Sequence, residues 1–180
     1  MNNRFENDTP RIYVASLADY NAGRLHGKWI DCDQDVEDIR QEIKNMLAQS
    51  KEPIAEEWAI HDYENFRSLR LGEYEDLEKV VEAAKLIVEY REYFSLIVEH
   101  CGGLRCLAEA KRYMEEEAGG EWDSLAHWAE IFLEDTGQLR GVPENLRSYI
   151  DFERYGKDAE LSGDIFTIDF DGKLHVFWNI

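Results

Sequence analysis

From Leu69 onward the apolar residues of this chain fall at helical spacing, and they keep to it for some fifty residues between segments patterned as strands. Leu77, Val80, Val81, Ala84, Ile87 and Val88 form one stripe; Tyr93, Phe94, Ile97 and Val98 continue it, with a bend expected near Tyr90. Gly102 and Gly103 stop this helix, and Leu104, Leu107, Ala108, Ala110, Tyr113 and Met114 mark the next, which runs to a second stop at Gly119 and Gly120. The fold class predicted is α+β, with a strand-bearing segment on either side of the helices.

The first such segment opens with Arg11 to Asp31, which reads as strand, turn, strand: Ile12, Tyr13 and Val14 are β-formers, Asn21, Gly23 and Gly27 punctuate, and Lys28, Trp29 and Ile30 follow. Val36, Ile39, Ile43, Met46 and Leu47 then share a helical stripe, for which Asp35 is the expected N-cap and Asp38 a favourable charge in the first turn. After Pro53 a third strand runs from Glu56 to Tyr63, with Trp58, Ile60 and Asp62 expected on one face and Ala59, His61 and Tyr63 on the other. The last segment mixes both classes. Asp123 or Ser124 caps a helix carrying Leu125, Trp128, Ala129, Phe132 and Leu133, and Pro143 opens a short helix with Leu146, Tyr149 and Ile150. Ile165 to Phe170 and Leu174 to Trp178 flank Asp171-Gly172, the dipeptide of a type I′ hairpin turn. The expected division is an unmatched leader 1–10, a sheet-and-helix unit 11–71, a helical unit 72–120 and a mixed unit 121–180.

Charge bounds the function. Thirty-nine Asp and Glu against twenty Lys and Arg give a formal net charge of -19. Acids and bases number 12 and 7 in residues 1–60, 14 and 8 in 61–120, and 13 and 5 in 121–180. The excess is thus built into every segment rather than gathered in an acidic tail. Such a chain repels nucleic acid and anionic membranes and attracts basic surfaces. The same excess, with twelve Arg to eight Lys, also fits a protein adapted to high salt. No apolar run approaches the roughly 20 residues of a membrane span, and the first ten residues lack signal-peptide character, so a cytoplasmic location is expected.

Candidates for catalysis are sparse. His26, His61, His100, His127 and His175 stand in no HExxH motif, and GxSxG, P-loop, GxGxxG and CxxC are all missing. Cys32, Cys101 and Cys106 lack metal-knuckle spacing; a site from Cys101, Cys106 and a histidine competes with the plainer reading of small buried thiols at a helix corner. Trp29, Trp58, Trp122, Trp128 and Trp178 read as core residues, since a base-stacking groove also needs a basic track. The acids remain as the functional candidates. Besides mimicry of a polyanion, they suit an acidic adaptor for some other basic protein, and a metal or thiol enzyme is the third reading.

Several stretches together resemble the ArdA family of antirestriction proteins, small acidic proteins of mobile genetic elements: RIYVASLADYNAGRLHGKWID (Arg11 to Asp31), EEWAIHDYENF (Glu56 to Phe66), GEYEDLE (Gly72 to Glu78), HWAEIFLEDTG (His127 to Gly137), VPENLRSYIDFERYGKDAELSGDIFTID (Val142 to Asp169) and the ending HVFWNI. Asn65 stands where the family's glycine is expected, and asparagine tolerates the positive φ such a turn needs. The resemblance implies an elongated molecule that dimerises through its C-terminal part. It implies a DNA mimic that occupies the DNA-binding groove of type I restriction–modification enzymes, inhibits restriction and often modification, and catalyses nothing, without metal or cofactor. The carboxylates expected in place of phosphates are Glu56, Glu57, Glu73, Glu75, Asp76, Glu78, Glu82, Glu89, Glu92, Glu109, Glu115, Glu116, Glu117, Glu121, Asp123, Glu130, Glu134 and Asp135.

Overall fold

The computed structural model describes residues 8–115 and 120–179. It is α+β, with helices and two small antiparallel sheets. By contacts the chain divides into two compact units, Met1–Lys111 and Arg112–Ile180.

The first unit is centred on β1 (Arg11–Ser16), flanked by β2 (Gly27–Asp31) and β3 (Trp58–Glu64) in the order β2-β1-β3. Between β1 and β2, where the sequence reads as a turn, lies one turn of helix, α1 (Leu17–Asn21), because Ser16 caps it by accepting from Asp19 N at 3.3 Å. α2 (Val36–Leu47) lays Ile39, Ile43 and Met46 into the core beside β1 and β2. Asp35 is its N-cap by position, but its carboxylate makes no capping bond and meets Lys85 at 3.4 Å instead.

The simple alternation expected in β3 does not hold. Tyr13 pairs with Asp62 but Val14 with Ile60, so one step of β1 spans two of β3 and His61 is the extra residue of a bulge. Ala59 and Ile60 are consequently both buried. α3 (Leu77–His100) is two helical segments joined at Arg91, where φ 59° and ψ −139° break the helix one residue past the expected bend. Asp76 caps it, accepting from Lys79 N at 3.2 Å. After His100 the chain turns at Gly102 and Gly103, both at positive φ, into a 3₁₀ turn (Gly103–Cys106) and α4 (Leu107–Glu115). The stop expected at Gly119 lies outside the described residues.

The second unit packs α5 (Leu125–Asp135) and α7 (Phe152–Ser162) beside a sheet of order β4-β6-β5, comprising β4 (Glu121–Trp122), β5 (Ile165–Phe170) and β6 (Lys173–Trp178). Ser124, not Asp123, caps α5, accepting from His127 N at 3.1 Å. Pro143 sits at the N-cap of the short α6 (Glu144–Arg147). Asp171 and Gly172 both have positive φ, 51° and 73°, and Phe170 pairs with Lys173 across them, the two-residue loop that Asp-Gly predicts. Trp128, Ala129, Ile165 and Val176 form the core. α5 and α7 approach closely at Gly156, where an added Cβ would lie 2.5 Å from Leu125 Cγ and 3.1 Å from Leu125 O.

Candidate functional site: a dispersed acidic surface

Helices and turns place carboxylates outward because their apolar stripes are spent on the core, leaving the opposite face to charge. Of the eighteen acids singled out in the sequence, Glu116 and Glu117 lie outside the described residues, Glu75 and Glu92 are half-buried, and the rest are exposed. They differ in what they touch. Glu56, Glu57, Glu73, Glu89, Glu109, Glu115, Glu121, Glu130 and Asp135 have neither an ion pair nor a side-chain hydrogen bond among the described residues. Glu78 pairs with Arg40, Glu82 with Lys111, Asp123 with Lys173, and Glu134 with Arg147 at 2.6 Å.

A third group holds the backbone. Glu75 accepts from Gly72 N at 3.1 Å and Asp76 caps α3. Glu92 accepts from Ser68 Oγ, Ser95 Oγ accepts from Ser68 N at 3.3 Å, and Glu99 accepts from Arg70 N at 3.3 Å, so one face of α3 staples the loop that follows β3. Asp76 is held below the ordinary carboxylate pKa chiefly by the Lys79 N–H, and Asp123 chiefly by its hydrogen bond from Lys173. Both stay ionised throughout the physiological range.

Acids not singled out from sequence join them. Asp35, Glu37 and Asp38, at the start of α2, share a cleft of about 560 Å³ with Glu78, Glu82 and Lys85. The sequence offers Asp35 as an N-cap and Asp38 as a favourable first-turn charge; only the approach of α2 to α3 puts them beside Glu78 and Glu82. Glu56, conversely, shares a cleft with Arg40 and Lys44, which weaken its field. The charge is divided evenly: 23 acids against 14 bases in residues 1–111, and 16 against 6 in 112–180.

The thiols and imidazoles differ in their surroundings. Cys32 is buried and its pKa is pushed up to about 12, mainly by burial, which keeps it protonated and unreactive. Cys101 and Cys106 are half-buried. Among the described residues no group of three or more His, Cys, Asp and Glu side chains is placed to hold a metal. His26 lies against Met46 O at 2.8 Å, His61 is edge-on to Tyr20 at 4.7 Å, and His175 is buried in the other unit. Trp128 is fully buried, whereas Trp29, Trp58, Trp122 and Trp178 are half-buried. No helix among the described residues is long and apolar enough to cross a membrane.

Comparison with protein families decides the identity. The model of the family described as antirestriction protein (ArdA) matches residues 12–171, from β1 through the turn of the final hairpin. The chain belongs to the ArdA antirestriction family. ArdA proteins are inhibitors rather than enzymes, and membership implies interaction with restriction enzymes. No curated protein matches the chain. The match takes in all the singled-out acids and places them in an antirestriction protein, although it assigns none of them a role.

Proposed function

We propose that this ArdA protein disarms type I restriction–modification enzymes by filling their DNA-binding groove as a homodimer joined through its C-terminal part, within the cytoplasm of the cell that carries it. Its carboxylates stand where phosphate oxygens would lie and meet the Lys and Arg side chains that hold the DNA backbone. The observation that carries this reading is the exposure of carboxylates over both units, nine of the singled-out acids making neither an ion pair nor a side-chain hydrogen bond among the described residues. A dimer doubles the charge of -19 to -38, which matches roughly 65 Å of duplex at one charge per roughly 1.7 Å.

The three groups of acids then have different tasks. Glu56, Glu57, Glu73, Glu89, Glu109, Glu115, Glu121, Glu130 and Asp135 are open to partner cations. Glu78, Glu82, Asp123 and Glu134 exchange an internal cation for an external one, which reduces their net contribution. Glu75, Asp76 and Glu92 act mainly by keeping the backbone in place. Occupation of the groove blocks cleavage and, where methylation uses the same groove, modification too.

The test is inhibition of a purified type I enzyme at several DNA concentrations. Competitive inhibition, relieved by excess DNA, is expected. Inhibition that persists undiminished at saturating DNA would place the binding surface outside the groove.

A further inference from the structure

The second unit contains a cleft of about 350 Å³ that the acidic-surface account leaves unused, lined from α5, α7 and the end of β6. This is near the lower limit of the roughly 300–1,000 Å³ of small-ligand sites, suited to one side chain rather than a large cofactor. Its apolar lining is aromatic. Trp128 and Phe132 stack at 5.3 Å and 9°, Trp178 tilts against Phe132 at 5.1 Å, and Tyr155 lies 6.5 Å from Phe132. Gln138 and Asp164 add polar groups to the lining.

Asp164 is exposed but held on a fixed backbone: its N–H donates to Ala159 O and its carbonyl accepts from Asn179 N, both at 3.0 Å. Its Oδ2 accepts from Ser162 Oγ at 2.8 Å. Gly163 and Asp164 follow directly on the carboxyl end of α7, the negative end of its dipole. Among the described residues no Lys, Arg or His lines the cleft.

Ring faces, a carboxylate and a helix carboxyl end all favour a cation, and an anion would find no counter-charge. A nucleotide is disfavoured because its phosphate would meet a unit with 16 acids against 6 bases. Between the two biological cations, guanidinium fits better, since its plane stacks on an aromatic ring while its edge pairs with a carboxylate. We infer that this cleft receives an arginine side chain of the protein's basic partner, with the aromatic rings against the guanidinium and Asp164 as its counter-ion. The inference rests on the reading that the partner is a DNA-binding enzyme, and it deepens that reading. A DNA backbone offers arginine only phosphate oxygens, whereas this cleft adds a ring surface, so the mimic gains one localised contact beyond its summed field.

The experiment follows the tryptophan indole N–H resonances of the full chain by NMR during titration with N-acetyl-arginine amide, with N-acetyl-lysine amide and inorganic phosphate as comparisons. Saturable shifts at Trp128 and Trp178 are expected with the arginine probe, weaker ones with the lysine probe and none with phosphate. Asp164→Asn should weaken the arginine probe about tenfold, as loss of a hydrogen bond to a charged group does, and leave Trp29 and Trp58 unmoved. Shifts spread equally over all the tryptophans, or an Asp164→Asn chain that binds the probe as tightly as the wild type, would overturn the site. So would Trp128 and Trp178 resonances that follow chain concentration and ignore the probe, the mark of a second copy covering the cleft. A chain that binds the arginine probe here but fails to compete with DNA for the enzyme would retain the site and refute the partner named above.

Discussion

Asp19 shows how differently one acid can act from its neighbours in so acidic a chain. It is buried, accepts from Ser16 Oγ at 2.8 Å and from Ser50 Oγ, and faces Arg24 at 3.4 Å. The Ser50 hydroxyl is the main reason its carboxyl is held below the ordinary value. A depressed folded-state pKa stabilises the fold above the unfolded value of about 3.9, and that contribution is lost as pH falls through the folded value. Acidification also relieves repulsion among the surface acids, so the comparison with Asp19→Asn isolates the effect. In urea unfolding followed from pH 7 to pH 2, wild type is expected to be the more stable at neutral pH, with the gap closing below about pH 4; a gap independent of pH would mean that Asp19 acts by packing alone. At the surface, Glu78→Gln removes a charge already shared with Arg40 and should change inhibition less than about threefold, within the range of exposed pairs. Glu92→Ala should instead cost about 1 kcal/mol of stability through the lost Ser68 bond, read from the urea midpoint. Sequence alone could not separate Glu92 from Glu89. Both are glutamates of one helix three residues apart, and only the return of the loop after β3 distinguishes them.

At the level of elements, strong periodicity carried through and weak or short signals did not. The α2 stripe, the bend beside Tyr90, the Asp-Gly hairpin and the α3 stripe apart from Val88, which is exposed, were legible because each rests on local chemistry, whereas the positive φ at Asn65 followed from the family resemblance. The bulge at His61 was not, since it is a matter of register between β1 and β3. β4 has two residues and exists only by pairing Glu121 with His175 and Trp122 with Leu174. α7 is not legible in the sequence because its stripe, Phe152, Tyr155 and Ala159, is thin and Gly156 interrupts it. The Asp151 cap, accepting from Arg154 N at 3.0 Å, was the available signal. Gly156 is the price of the α5–α7 approach, which predicts that Gly156→Ala destabilises the protein by about 1–3 kcal/mol despite alanine's better helix propensity. An unchanged or raised urea midpoint would contradict that packing.

For the molecule as a whole, the charge total was legible from composition and its spread along the chain from counting, but the pairing of acids with internal cations was not. Glu82 with Lys111 and Arg40 with Glu78 join residues 29 and 38 positions apart. A distributed surface also predicts that thiols are dispensable: replacing Cys32, Cys101 and Cys106 by alanine should lower stability, most at buried Cys32, and leave inhibition per folded molecule intact. Neutralising Glu115, Glu116 and Glu117 together should weaken inhibition where Glu78→Gln does not, since small contributions accumulate over a cluster. The claim beneath all of this is that the protein binds its target through charge. The most direct measurement is the affinity for a purified type I enzyme at 50 and 200 mM salt, with circular dichroism confirming that the chain is folded at both. The account predicts a fall of at least about tenfold, gentler than for DNA because a protein lacks DNA's condensed counterions. An affinity unchanged across that range would contradict it.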